Sequence, residues 1–463
     1  MRILETALII SCVPILGLAL LNCRLPRIIA IVLLVIPATI LVVLLSTLEM
    51  RLHFIPAYFI PVLLSVVALI WLVFPNLHLP TLLIRAGAMA ALFFLAGGAY
   101  LTRLIPVLEF PTPPGSYQVG VTDIVVNNTY SRKLRVRIWY PAEKDAKGPS
   151  IPYLSSARVP DKYLSSVLLA KTNALKNVKM APIKEGCPVI LYSPEWLGEC
   201  YLNTTLFEAL ASEGFVVVAI EIPSASENPS PLNFSTKESL QRFDQAVARE
   251  LKARMSDMLR VYASLPDLQS GLLANGILKE KLNLSAVGAM GYSFGGAVTA
   301  EALLNEPSLR SGINFDGTLF GASAKQGAKQ PFLFITHNMT FPSEEELQSE
   351  DSAIRREAEF GTLSLQQMNH WLNIHGGYVI RIDGAQHSTF CDIPLYAYKG
   401  KLTGADGQKA IRTLQKVNLC AVAFFNKTLR GQNPALLEKE GFPWSEIEVR
   451  LFFPQKPKTS PGS

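Results

Sequence analysis

The sequence predicts an α/β domain, a mostly parallel sheet with helices on both faces, preceded by an all-α transmembrane region of about four helices. Three observations predict it. Residues 1–109 are almost continuously apolar, whereas the remainder is an ordinary globular mixture. From Pro188 onward, short β-branched runs alternate with amphipathic stretches, the pattern of parallel strands joined by crossover helices. One of those runs ends in Gly291-Tyr-Ser293-Phe-Gly295 and passes directly into Ala297–Leu304, a strand, a sharp turn and a small-residue helix.

The apolar region holds four runs, Thr6–Asn22, Ile28–Leu48, Phe54–Phe74 and Leu82–Leu101. Each is about long enough to cross a hydrocarbon core of roughly 30 Å as a helix, although the first also resembles a signal-peptide core. Pro14, Pro37, Pro56 and Pro61 are tolerable where neighbouring helices satisfy the freed carbonyls. Tyr58, Trp71 and Tyr100 fall near run ends as interfacial anchors, and Arg85 is close enough to an end to snorkel. No charged residue lies mid-span, which favours an anchor over a channel. Arg24 and Arg27 share one short loop, and N-x-[ST] sequons occur at Asn127, Asn203, Asn233, Asn283, Asn338 and Asn426. Together they point to a multi-pass integral membrane protein whose globular part lies on the non-cytoplasmic side.

These boundaries give a membrane domain at 1–109, a stiff Pro-rich linker at 110–116, a catalytic domain at 117–453 and a polar tail at 454–463. The domain opens with alternating strands, Tyr117–Val126 and Lys133–Tyr140. Ser155–Lys184 mixes lysines with leucines at helical spacing, as a surface helix or a membrane-facing lid would. Strands follow at Pro188–Tyr192, Phe215–Glu221, Ala286–Gly291, Gly312–Phe315, Pro331–Thr336 and Tyr378–Ile382, with helices at Leu202–Ser212, Leu240–Leu265 and Thr413–Leu429. The acidic insert Ser343–Glu359 reads as a solvated helix. The net charge of +6 is spread along the chain, which gives no case for a nucleic-acid partner. The six cysteines show neither a CxxC pair nor a zinc-ligand cluster, so no metal, cofactor or disulfide framework is expected.

A serine hydroxyl is a weak nucleophile near neutral pH, so it needs a base within hydrogen-bond reach and a group that orients the base. The Gly-x-Ser-x-Gly turn makes Ser293 the candidate nucleophile, because it exposes the hydroxyl at a helix N-terminus where the Phe294 amide can face a developing oxyanion. Of the six histidines, His53 and His78 fall beside the apolar runs. His387 follows a strand in Asp383-Gly-Ala-Gln-His387 and is the candidate base; His337, which directly ends a strand, is its strongest rival ahead of His370 and His375. The acid should lie between serine and base in chain order. Asp316, ending the strand Ile313-Asn314-Phe315, fits that place, whereas Asp383 suits its own turn and Asp392 comes after the base.

Several motifs occur in one order: Arg137-Ile-Trp-Tyr-Pro141, Tyr192-Ser-Pro-Glu-Trp196, Leu210-Ala-Ser-Glu-Gly-Phe-Val217, Gly291-Tyr-Ser-Phe-Gly-Gly296, Phe315-Asp-Gly317 and His387-Ser-Thr-Phe390. In them, the chain from about residue 117 to 430 resembles the platelet-activating factor acetylhydrolase family, plasma and intracellular type II class. The resemblance implies an α/β-hydrolase fold with Ser293 as nucleophile, Asp316 as orienting acid, His387 as general base, and the Phe294 and Trp196 amides as oxyanion hole. It also implies Ca²⁺-independent hydrolysis of short or oxidised acyl esters, typically on phospholipids. One departure is Pro194-Glu195, where relatives commonly carry His-Gly or Pro-Gly; a glutamate restricts the backbone and brings a negative charge beside a site that must stabilise an anion. The alternative function is a membrane protein whose hydrolase-like domain binds a lipid or partner without turnover. The intact Ser293, Asp316 and His387 favour the esterase.

Overall fold

A computed structural model of the chain describes residues 3–21, 27–46, 54–74, 80–104, 107, 109–127, 133–154, 167, 169–196, 200–222, 237–337, 339, 341–396, 405–437, 444 and 447–454. The chain divides into two compact units, one of Met1–Glu109, Pro152–Lys171 and Tyr396–Asp406, the other of Phe110–Ile151, Thr172–Leu395 and Gly407–Ser463.

The first unit holds helices α1 (Ile3–Leu20), α2 (Arg27–Ser46), α3 (Ile55–Val73) and α4 (Thr81–Leu104). Pro14, Pro37 and Pro61 lie inside helices, and Pro56 occupies the first turn of α3, where its missing N–H costs no helical bond. Leu8, Cys12, Leu44, Ala57, Ala88 and Leu95 form the core between the helices, while Ile10, Phe59, Leu63 and Phe93 face outward. Among the described residues, two helices are long and apolar enough to cross a membrane, Ile3–Leu20 and Thr81–Thr102. Tyr58, expected as an interfacial anchor, is instead buried, and its hydroxyl donates to Glu5 at 3.3 Å. Arg85 donates from Nε to the Leu20 carbonyl at 3.0 Å and so occupies one of the free carbonyls at the end of α1.

The second unit is built on an eleven-stranded sheet in the order β11-β10-β9-β8-β7-β5-β6-β2-β1-β4-β3. Its strands are β1 (Gln118–Asn127), β2 (Lys133–Ala142), β3 (Ser150–Pro152), β4 (Lys171–Lys176), β5 (Cys187–Ser193), β6 (Val216–Glu221), β7 (Leu282–Tyr292), β8 (Gly312–Phe315), β9 (Phe332–His337), β10 (Gly377–Ile382) and β11 (Ile447–Phe452). From β6 through β10 neighbours run parallel, whereas β1 and β2 form an antiparallel pair that joins β6 antiparallel. A parallel sheet is covered on both faces, so its strands carry no polar side. β5 shows this: Val189 and Leu191 enter one hydrophobic layer, Ile190 and Tyr192 the other. Each such side chain, fully buried, contributes about 1.5–3 kcal/mol. The layers are completed by helices α5 (Thr204–Ser212), α6 (Lys237–Ala263), α7 (Phe294–Asn305), α8 (Ser352–His375) and α9 (Ala405–Arg430).

The core strands fall where the sequence places them, and three features differ. Lys171–Lys176 is a strand beside β1, with Thr172 and Ala174 buried, and not part of a helix over Ser155–Lys184. Lys171, Lys176 and Lys179 are unevenly spaced and do not fix the period, and burial of alternate residues decided for the strand; residues 155–166 and 168 lie outside the described ones. The acidic insert forms two helices, Glu344–Leu347, closed by a Ser343/Glu346 capping box, and then α8. The edge strand β11 pairs antiparallel with β10. Its Ile-Glu-Val-Arg-Leu alternation is an edge-strand pattern with only Ile447 buried.

Candidate active site

The order of β5, β6 and β7 reverses the winding of the sheet: β5 lies between β6 on one side and β7 on the other. At such a switch point the loops leaving adjacent strands part and open a crevice at their carboxyl ends. Ser193 closes β5, and Ser293 follows β7 across this crevice. The turn at Ser293 is strained, with φ 55° and ψ −122°, a region where few non-glycine residues are found. It is held by the Ser293 N–H donating to Phe315 O at 2.8 Å and by close approach on both flanks. A Cβ on Gly291 would strike the Gly295 carbonyl, and one on Gly295 would strike that of Ser193. Helix α7 begins at Phe294, and its first two amides, those of Phe294 and Gly295, precede the first bond of the turn, Gly296 N–H to Ser293 O at 2.9 Å.

Asp316 leaves the adjacent strand β8 in a second left-handed turn, with φ 53°. Its own N–H donates to Ile335 O, and Asn314 closes the turn, its Oδ1 accepting from Gly317 N at 2.7 Å and its Nδ2 donating to Gly317 O at 2.8 Å. The carboxylate is buried and lies between two imidazoles. Its Oδ2 is 2.7 Å from His387 Nδ1, and its Oδ1 is 2.7 Å from His337 Nδ1 and accepts from the His337 backbone N–H at 3.2 Å. Burial pushes the Asp316 carboxyl up, but the hydrogen bonds from His337 and His387 outweigh it and hold the group below its ordinary range. An ionised Asp316 accepts only, so both imidazoles present Nδ1–H to it. His387 is thereby left with a bare Nε2, which lies 3.0 Å from Ser293 Oγ.

The His387 loop is fixed from behind. Its ring stacks on Tyr292 at 5.0 Å, and the Tyr292 hydroxyl donates to its carbonyl at 3.1 Å. Asn203 Nδ2 donates to Phe390 O, and the buried Asp392 accepts from the backbone N–H and hydroxyl of Thr205. Asp392 therefore braces the loop, and Asp383 makes no contact with the histidine pair among the described residues. His370 and His375 reach the carbonyls of Lys325 and Gln326, away from Ser293. The rival His337 meets the acid and not the serine. The register explains this second partner, because β8 and β9 are parallel with Phe315 opposite Ile335, which brings the residues after both to one edge.

The loop after β5 brings Pro194, Glu195 and Trp196 against the turn, and the Trp196 ring meets the Phe294 ring edge-on at 4.7 Å. Glu195 does not line the cavity. Its charge acts on Cys391 and Tyr292 behind the nucleophile strand: burial pushes the Cys391 thiol up to about 12, and the Glu195 carboxylate adds to that push. Arg254, which no sequence motif marks, holds this loop from the side of α6 with two hydrogen bonds. The cavity itself encloses about 720 Å³ and brings Ser293, Asp316, His337 and His387 together with Trp196, Phe294, Phe320 and Phe360. A hydroxyl activated by an oriented imidazole, at the end of a space lined by both aromatic and polar side chains, can transfer an acyl group from an ester to itself and then to water.

The sequence model of the family described as platelet-activating factor acetylhydrolase, isoform II, matches residues 105–433. A probable 1-alkyl-2-acetylglycerophosphocholine esterase of Arthroderma benhamiae is 21% identical over 281 residues, covering 57% of this chain and 66% of that protein. Platelet-activating factor acetylhydrolase of Bos taurus is 24% identical over 275 residues, 51% of this chain and 62% of the relative. The chain thus spans about two thirds or less of the curated relatives it matches. Among solved structures, a ferulic acid esterase from Streptomyces cinnamoneus superposes with a TM-score of 0.55 at 20% identity, over 74% of this chain and 99% of that one. At that identity the likeness establishes the α/β-hydrolase fold.

Proposed function

The chain belongs to the platelet-activating factor acetylhydrolase, isoform II, family, and on that premise we propose that it is a serine esterase hydrolysing short or oxidised acyl esters of phospholipids. The single observation that carries this is the continuous hydrogen-bonded series from Ser293 Oγ through His387 to a buried Asp316, opening into a cavity lined by both aromatic and polar side chains.

Ser293 Oγ attacks the ester carbonyl carbon as its proton passes to His387 Nε2. Asp316 stabilises the imidazolium and keeps its Nδ1 occupied. The carbonyl oxygen becomes an oxyanion held by the Phe294 and Trp196 amides, and collapse of the tetrahedral adduct expels the alcohol, to which His387 returns the proton. Water then attacks the acyl-serine by the same steps, with His387 as base, and frees the acid. The apolar helices of the first unit would hold the enzyme in the bilayer that supplies its substrate, as a multi-pass protein with its site on the non-cytoplasmic side. The Asn203 sequon does not bear on that orientation, because Asn203 is buried and bonded to Tyr192 and Phe390. Binding without turnover is disfavoured by the aligned series Ser293, His387 and Asp316, which a binding module does not need.

The test is hydrolysis of p-nitrophenyl esters of increasing acyl length by purified full-length protein, beside vesicles holding a phosphatidylcholine with either an acetyl or a palmitoyl sn-2 chain. The proposal expects Ser293-dependent turnover that falls with chain length on both substrates. No hydrolysis of any ester by folded protein, or preference for palmitoyl chains, would overturn it.

A further inference from the structure

The side chain of Arg254, on α6, is 4% exposed, and burying a guanidinium is costly unless its donors are paired. Its partners are specific. Nη1 donates to Glu195 O and Nη2 to Trp196 O, each at 2.6 Å, while Nε faces Glu250 Oε2 at 3.4 Å. The guanidinium carbon lies 5.2 Å from the Phe294 ring centroid and 5.9 Å from that of Trp196. One planar fork thus holds two successive carbonyls of the loop after β5 and packs against the rings of both residues whose amides face the reacting oxygen in the proposed mechanism.

We propose that Arg254 is a positioning residue for oxyanion stabilisation: it fixes the peptide plane joining Glu195 and Trp196 so that the Trp196 N–H is aimed at the carbonyl oxygen of the substrate. The direction follows from peptide geometry. In a trans peptide the C=O and N–H of one unit point to opposite sides. Trp196, Phe294 and Ser293 line the cavity and Arg254 does not, so a Glu195 carbonyl turned toward Arg254 turns the Trp196 N–H toward the cavity. Without the cation, that plane is free to rotate. This inference rests on the reading of Ser293 as an acylated nucleophile.

The test compares wild type, Arg254→Lys and Arg254→Met on p-nitrophenyl acetate, with active sites counted by complete fluorophosphonate titration. Loss of an oxyanion donor costs about 10²–10³ in kcat, and a donor left in place but unaimed costs less, so Arg254→Met should lose about 10- to 100-fold in kcat with KM within about twofold. Arg254→Lys, whose point charge cannot hold both carbonyls in one plane, should fall between. The readout that a scaffold role would not move is affinity for a trifluoromethyl ketone, whose adduct places an oxyanion where the transition state does. Its inhibition constant should rise in proportion to the loss of kcat/KM across the three proteins. A folded Arg254→Met with kcat within twofold of wild type, or a kcat loss without weaker inhibition, overturns the inference and leaves Ser293 in place. Should Arg254→Met not fold, Arg254→Lys, which keeps the buried cation, decides on the same criteria. A wild-type protein that neither turns over the ester nor takes the label overturns the underlying reading and the inference with it.

Discussion

At the carboxyl edges of β7 and β8 the site is made of side chains on two strained turns, whereas at the edge of β5 the proposed contribution is one backbone amide, in a loop held by one buried cation. Ser293 and Asp316 both have positive φ, and each turn is locked by glycines or a closing asparagine. In the β5 loop the Glu195 and Trp196 carbonyls are held by Arg254, 58 residues along the chain from Trp196. Side-chain chemistry therefore tolerates little change in residue type, while backbone chemistry depends on contacts at a distance. Substitutions in the first region should act on the reaction at once, and those in the second should grade it.

The largest effect expected is at Ser293. Ser293→Ala should reduce ester hydrolysis by a factor on the order of 10⁴ or more, with an unchanged thermal melt, since only a hydroxyl at the cavity surface is removed. His387→Ala and Asp316→Asn should each lower kcat by a factor on the order of 10³ or more at nearly constant KM. Asp316→Asn is the sharper test, because an amide can donate to His387 Nδ1 and so favour the tautomer that cannot accept from Ser293. Steady-state kinetics on p-nitrophenyl acetate measure all three, and equal losses at Arg254 would erase the contrast between the two regions.

The same contrast explains what could be read in advance. Gly291, Ser293 and Gly295 announce a turn because each residue type is needed there, and Asp316 and His387 follow short apolar runs that read as buried strands. Arg254 carries no local signature: it lies within a helix of ordinary amphipathic pattern, and only the close approach of α6 to the β5 loop gives it a role. His337 stood as a rival base because its place at a strand end is the same as that of Asp316, and sequence does not say which neighbour an imidazole faces. The stretch 171–176 misled for a related reason, as a short mixture of lysines and apolar residues does not fix the period, and burial of Thr172 and Ala174 chose the strand.

A smaller effect is expected at Glu195. Since Glu195 is not among the residues lining the cavity, Glu195→Gln, which removes the charge and keeps the backbone, should change kcat by less than about threefold. A gain of tenfold would place the charge near the oxyanion after all and merge the two regions electrostatically. The smallest effect concerns His337, whose hydrogen bond to Asp316 raises its pKa above the ordinary 6.5 against the opposing pull of burial. A raised histidine stabilises the fold fully below its unfolded value and loses that contribution as pH rises through its folded value. His337→Gln should therefore lower Tm relative to wild type more at about pH 5.5 than at about pH 8.5, and an equal difference at both would show a packing role alone. Asp316, held below its ordinary 3.8, stabilises above that range and ceases to do so as pH falls through its depressed value, so the acid limb of unfolding should move in Asp316→Asn.

The most direct measurement is the site of covalent modification when the full-length protein is treated with a fluorophosphonate and its peptides are mapped by mass spectrometry. The mechanism requires one adduct, on Ser293, formed quickly in wild type, slowly in Asp316→Asn and His387→Ala, and not at all in Ser293→Ala. An adduct on another serine, or an unmodified Ser293 in folded wild-type protein, would contradict it.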